Sequence, residues 1–408
     1  MTPDPFPIAL RRFIDANGQP NGMLVNRDTF APSIPGSLYA ASLARRCASP
    51  NTLYRYLQFA QALLSWGLES GVDLDQRLLH GLPLSGGEIE YYGLWLERRL
   101  KRGQAKLQQP SVVTFNAYLI GAEEMINWFM DHYFEPIGRD RGVAIESQRA
   151  ASHRWWKRVR KVSRSEKVAP DLSDDEISEI ETFLGGASKG PQAKSSWIRA
   201  YLIWRLAIEF GFRIGEILAL RLEDCPTRLD PTFRIVRIED RTGKPDPRGL
   251  KAPRPKTLGR ALAPVISNTV FPRLVIDYQA DHRLKKARRP NGQTAWRPVL
   301  GHTYLLVSDS GDPLPSPSAK SLAEAIARET GVPFNWHLAR HAFFNRAYAA
   351  VANLEDPTLR ASRMEDLVYW GGWRDSNSLS IYTARARRER ARTSVAIWGG
   401  TQRMEPLA

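Results

Sequence analysis

The sequence predicts a mainly α-helical protein with a small antiparallel β-sheet, built as a helical domain followed by an α+β domain. Three observations carry this. Apolar residues recur at helical spacing through most of the first 150 positions. A strand–turn–strand pattern lies between Phe233 and Pro264. A chain of 408 residues also exceeds what one compact core usually occupies.

The first 35 residues are expected to form an N-terminal arm or a small β element. Arg11–Ile14, the turn dipeptide Asn17-Gly18 and Met23–Val25 read as a hairpin, with an irregular arm as the alternative. Residues 36–150 are predicted to be a helical domain. Ser49-Pro50 opens a helix whose stripe is Leu53, Leu57, Ala60 and Leu64 and which stops near Gly71. Ile89, Leu94 and Leu96 start another. Val112, Phe115, Leu119, Ala122, Ile126, Phe129 and Tyr133 define a long amphipathic helix whose aromatics belong to the core. Residues 151–171 read as a basic linker between domains.

The second domain is expected over 172–392. Ser173 and Glu176 form a capping-box pattern ahead of Ile177, Ile180 and Leu184. A buried helix covers 197–210, and a short one runs from Ile214 to Leu220. Phe233–Ile238 reads as a strand, and 256–264 as a turn and returning strand. Residues 268–287 and 316–330 read as helical, Tyr304–Val307 as a short strand, and a further helix begins near His337. A C-terminal tail of 393–408 follows, in which Ile397 and Trp398 are expected to be buried, in cis or in trans. No internal repeat is visible.

The net charge is +15. That excess points to a polyanionic partner, of which nucleic acid is the commonest. The densest clusters are Arg98, Arg99, Lys101 and Arg102, then Arg154, Lys157, Arg158, Arg160, Lys161 and Arg164. A charge run is often only a solvated face, but the second cluster joins two expected domains, where it could line DNA. Cys47 and Cys225 are too few for a disulfide framework and lack metal-ligand spacing. With no signal pattern and no apolar run of membrane-spanning length, a cytoplasmic, nucleoid-associated protein is expected.

The chemistry-bearing residues gather late in the chain. His337 and Arg340 are three apart, so on a helix they face the same way. Trp373 follows, and then Tyr382. Arginine is a permanent, forked cation suited to phosphate oxygens. A tyrosine beside such a cluster can attack phosphorus, which suggests cutting and rejoining nucleic acid through a phosphotyrosine link.

With Gly211-Phe212-Arg213-Ile214-Gly215-Glu216 upstream, the segment 172–392 resembles the catalytic domain of the tyrosine recombinases, the phage-integrase family. The helical first domain resembles that family's core-binding domain in position and helix pattern only. The resemblance implies six catalytic positions. These are Arg213, a lysine at a β-turn (Lys256, with Lys251 as the alternative), His337, Arg340, Trp373 where histidine is commoner, and the nucleophile Tyr382. Glu216 and His341 are expected in supporting roles, with His341 packing one turn from His337.

Arg213 and Arg340 would hold the non-bridging oxygens of a phosphodiester. His337 would take the tyrosine proton or hold a phosphate oxygen. Lys256 would protonate the leaving 5′-hydroxyl. Indole has only a donor, so Trp373 cannot shuttle protons. No metal ligand set and no phosphate-binding glycine motif is visible, so neither metal nor cofactor is expected.

The resemblance further implies a homotetramer on double-stranded DNA recombination sites, monomeric or dimeric when free, exchanging strands through a Holliday junction. DNA-bending or directionality proteins would be its accessories. Two other readings share these features: a type IB topoisomerase-like relaxing enzyme, and a non-catalytic sequence-specific DNA-binding protein.

Overall fold

The computed structural model describes residues 6–16, 19–47, 49–102, 111–135, 140–162, 171–190, 193–237, 240–241, 246–249, 252–253, 258–263, 270–288, 294–380, 382, 391 and 394–395. Lys251, Lys256, Arg164, Ile397 and Trp398 lie outside them, as does the side chain of Arg102. The chain forms two compact units, residues 1–165 and 166–408.

The first unit begins with strands β1 (Ile8–Ile14) and β2 (Pro20–Asn26), paired antiparallel with Ile8 opposite Asn26. Helices α1 (Ile34–Arg46), α2 (Pro50–Ser70), α3 (Leu74–Leu79), α4 (Gly86–Arg102), α5 (Val112–Tyr133) and α6 (Arg141–Val159) follow. Proline sits in the first turn of α2, where its missing N–H costs nothing, and Gly71 ends the helix at φ +69°. The stripe Leu53, Leu57, Ala60 and Leu64 is buried as its spacing requires. Ser111 caps α5 by accepting from the Thr114 N–H at 3.1 Å.

Two boundaries differ from expectation. The hairpin is no separate arm, because Phe6, Ile8 and Leu24 share one core with α1, α2, α4 and α5. Residues 151–159 are not linker but the end of α6. Trp156 explains this: it is fully buried and meets Tyr92 edge-on at 6.1 Å. Charge density disguised a helix anchored by a single buried aromatic, Trp156.

The second unit contains α7 (Asp174–Ala187), α8 (Ser195–Phe210), α9 (Ile214–Ala219), β3 (Phe233–Ile235), β4 (Arg260–Leu262), α10 (Val270–Asp277), β5 (Leu284–Arg288), β6 (Thr294–Pro298), α11 (Ser316–Thr330), α12 (Trp336–Ala352) and α13 (Pro357–Gly371). The Ser173–Glu176 capping box forms at both ends, 3.2 and 2.7 Å. Helix α8 is the axis of the core, its Leu202, Ile203, Trp204, Leu206 and Ala207 all buried. β3 pairs antiparallel with β4, Phe233 opposite Leu262.

The helical reading of 268–287 holds only as far as a π-turn at Tyr278–His282; Leu284–Arg288 is a strand paired with β6. Leu, Lys, Ala and Arg all favour helix locally, so cross-strand pairing overrides propensity there. Buried Arg283 fixes the joint by donating to the Tyr304 carbonyl at 2.9 Å. Tyr304–Val307 makes only isolated bridges, Arg221 with Tyr304 and Val307 with Pro313, not a strand. No helix of the described residues is long and apolar enough to cross a membrane.

Trp156→Ala should destabilise the first unit by about 3–5 kcal/mol through cavity formation, and half-exposed Trp155→Ala far less. Urea unfolding followed by circular dichroism measures both.

Candidate active site

The site starts at a turn. Gly211 ends α8 at φ +64°, and a Cβ there would lie 2.4 Å from the Phe343 ring, so only glycine fits. The chain then reverses through buried Phe212 into Arg213, the N-cap of α9. The Glu216 side chain reaches back to accept from the Arg213 backbone N–H at 2.9 Å. That fold-back buries the Glu216 carboxylate, which is 1% exposed.

A buried carboxylate needs cations. Arg260 on β4 supplies a fork to it, Nη1 at 3.0 Å and Nη2 at 3.2 Å. Arg213 Nη1 stands 3.7 Å from its Oε1, and Arg340 Nη1 3.9 Å from its Oε2. Three guanidinium groups thus gather on one carboxylate, leaving excess positive charge around it.

The same arginines cap the C-terminus of α13, where the last carbonyls of a helix are unpaired and carry the negative end of its dipole. Arg260 Nε donates to the Trp370 carbonyl at 2.7 Å. Arg213 and Arg340 both donate to the Gly371 carbonyl, at 3.0 and 3.1 Å. The Leu258 N–H, at the start of β4, donates to the Gly372 carbonyl at 3.1 Å. Gly371 must be glycine, since a Cβ there would meet the Trp373 ring at 2.4 Å.

Arg340 projects inward from α12, 1% exposed, and also donates to the Gly211 carbonyl. Its guanidinium lies 4.6 Å from the Phe344 ring centre and 5.2 Å from that of Trp373. Trp373 packs against Arg340 and stands 6.0 Å from the Tyr382 ring.

Asn335 starts α12 by accepting from the N–H groups of His337 and Leu338 at 2.9 and 3.2 Å. His337 stands exposed on the first turn. One turn on, His341 is buried, its ring edge-on to that of His337 at 4.2 Å. Tyr382 is 2% exposed among Phe344, Leu379 and Trp373. Its hydroxyl lies 3.2 Å from Nδ1 of His341.

Burial raises the Tyr382 phenol above its ordinary value, against the lowering pull of Arg340 and then Arg213. Although its edge reaches solvent, His337 is held below the usual imidazole value by the partial desolvation of its ring against the protein, then by Arg340 and Arg213. His341 is pushed down to about 4 by burial, then by His337, Arg340 and Arg213. Burial and the neighbouring Arg213 lower Arg340 as well, to about 9, still charged at neutral pH.

No protein-family model and no curated protein sequence matches the chain. Its shape does match solved structures. A XerH site-specific recombinase bound to palindromic difH substrate, in a post-cleavage complex, superposes with a TM-score of 0.53 at 16% identity, over 89% of this chain and 85% of that one. The fold is that of the tyrosine recombinases. The pre-cleavage XerH complex gives 0.49 at 15% identity over 90% and 85%, and a lambda integrase dimer on a COC′ core site 0.47 at 13% over 91% and 93%.

Within this recombinase fold, Arg213, His337, Arg340, Trp373 and Tyr382 share one pocket, with Glu216 beneath the arginines and His341 against the tyrosine. His341, expected as packing or support, is the group that touches the Tyr382 hydroxyl, and one residue was missed in sequence. Arg260 was not singled out, although an arginine between inward-facing strand positions, with Leu262 on the same face of β4, is itself a signal.

The basic residues of the first unit divide. Arg99 pairs with Glu69 and lies over Trp95; Lys101 and Lys161 both reach Glu97, at 3.2 and 3.0 Å; Arg160 pairs with Glu123. Arg158 lies over Trp155 at 5.5 Å. Among the described residues, Arg98, Arg154 and Lys157 are exposed and form no ion pair.

Glu216→Gln should cost about 3–5 kcal/mol, because three arginines lose their shared counter-charge; the urea midpoint reads it. Since His341 binds its proton far less readily folded (about 4) than at the ordinary 6.5, the unfolded state binds more protons between those values. Stability should therefore fall as pH drops from 6.5 towards 4, and His341→Gln should flatten that slope in urea melts across the window.

Proposed function

We propose that the chain cuts and rejoins DNA as a site-specific recombinase, with Tyr382 forming a 3′-phosphotyrosine link. The observation that carries this is the pocket itself: excess guanidinium charge held on a buried carboxylate, with a tyrosine hydroxyl in the same cluster. A phosphodiester supplies the negative charge that this arrangement lacks. Arg213 and Arg340 would each turn a fork to the non-bridging oxygens, where charge builds up during attack. Their positions are fixed before substrate arrives by Glu216 and by the Gly371 carbonyl, so little reorganisation accompanies the reaction.

Tyr382 Oη attacks phosphorus, the P–O5′ bond breaks, and the 5′-oxygen takes a proton. Lys256 is the residue we assign to that proton. Supporting this, Leu258, two positions on, is tied to the Gly372 carbonyl beside Trp373. Rejoining is the reverse attack by a 5′-hydroxyl on the phosphotyrosine, so the bond energy is kept and neither ATP nor a metal is called for. Exposed Arg98, Arg154 and Lys157 would follow the phosphate backbone of the duplex. Four protomers on two sites would exchange strands through a Holliday junction. The similarity in fold to a recombinase crystallised on its substrate after cleavage supports the reading.

A pool of nicked duplexes with randomised cores tests it, because a cleaved strand beside a nick loses its end and traps the enzyme. The wild-type chain should yield covalent DNA–protein adducts resistant to SDS, and Tyr382→Phe none while still shifting DNA in gels. Arg213→Ala and Arg340→Ala should each slow adduct formation about 10²–10³-fold. Undiminished adducts from Tyr382→Phe would refute the assignment.

A further inference from the structure

The Tyr382 hydroxyl has one hydrogen-bonding imidazole, and it is not the one that sequence spacing favoured. We infer that His341 is the group that receives the Tyr382 proton during attack, and that His337 passes that proton on to solvent. This rests on the recombinase reading above, and it assigns a role within that site.

The geometry is a short chain of groups leading out of the core. Tyr382 Oη lies 3.2 Å from His341 Nδ1, both side chains being buried. The His341 ring stands edge-on to that of His337, centres 4.2 Å apart, one helical turn nearer the start of α12. His337 is the exposed end of the chain. Buried phenol, buried imidazole and solvent-facing imidazole thus lie in sequence, and the first contact is already at hydrogen-bonding distance. Phe344, Leu379 and Trp373 pack the rest of the tyrosine ring in an apolar wall that, among the described residues, offers no rival acceptor.

In the working tautomer His341 carries its proton on Nε2, and Nδ1 accepts from the phenol. The electron pair of Oη goes to phosphorus as the P–O5′ pair goes to the leaving oxygen. The phenolic proton goes to Nδ1, and the Nε2 proton leaves through His337. The leaving oxygen takes its proton from the acid assigned above, so charge and protons balance.

The groups facing the imidazole are His337 and Arg340 from α12, Arg213 from the turn before α9, and Tyr382, with Glu216 behind Arg340. These cations and burial keep His341 neutral, hence able to accept, yet weakly basic. The same burial keeps the phenol protonated. A bound phosphodiester neutralises Arg213 and Arg340 and so restores basicity to His341. The same neutralisation weakens the pull of Arg340 and Arg213 on the phenol, which leaves the proton transfer to His341.

Two experiments test this. In histidine-selective ¹⁵N NMR of the full chain without DNA, Tyr382→Phe should shift the His341 resonances; an unchanged His341 overturns the contact. On the nicked-duplex pool, His341→Gln keeps a polar side chain but cannot take a proton, and should slow adduct formation about 100-fold or more with DNA binding intact. His341→Ala should be equally slow and recover with added imidazole. Wild-type rates from His341→Gln, or no recovery of His341→Ala by imidazole, overturn the inference. If the wild-type chain itself forms no adduct, the recombinase reading fails, and this inference with it.

Discussion

The second unit is organised around a single buried carboxylate. Glu216 is placed by a glycine turn that only Gly211 can make, and once buried it requires cations. Those cations come from three places far apart in sequence: Arg213 before α9, Arg260 on β4 and Arg340 on α12. The same three groups take up the terminal carbonyls of α13. One ionic centre therefore ties two helices, a strand and a helix end together. An arrangement that costs desolvation energy and leaves positive charge uncompensated is poorly explained by stability alone. It is well explained by an anion that arrives later.

The tyrosine sits in the same cluster, where the arginines pull against the effect of its burial. Trp373 and Phe344 bridge between Arg340 and the phenol ring, so Arg340 also supports the wall beside the Tyr382 ring. Burial opposes ionisation of Tyr382 while the arginines favour it.

Much of this was legible in the sequence, and the parts that were not share a cause. Helix stripes, the Ser173 capping box and the His337–Arg340 pair depend on short-range spacing, which a sequence displays directly, whereas Arg213, Trp373 and Tyr382 were joined to that pair by the family resemblance. Arg260 and the contact of His341 with Tyr382 depend on which strand face points inward and which turn of α12 meets a distant segment. The β5–β6 hairpin was hidden by helix-favouring residues that pair across strands instead. The basic stretch before Val159 hid a helix because Trp156, its anchor, was one aromatic among many charges. Ion pairing also thins the apparent DNA-binding surface: Arg99, Lys101, Arg160 and Lys161 are matched with acids, whereas Arg98, Arg154 and Lys157 are not.

The central claim is that Tyr382 becomes bonded to DNA. Mass spectrometry of nuclease-treated, trypsin-digested adducts reads this directly, because the peptide from Asp375 to Arg385 contains Tyr382 as its one tyrosine. The account predicts a nucleotide remnant on that peptide, attached at the phenolic oxygen. A remnant on any other peptide, with this one unmodified, would contradict it.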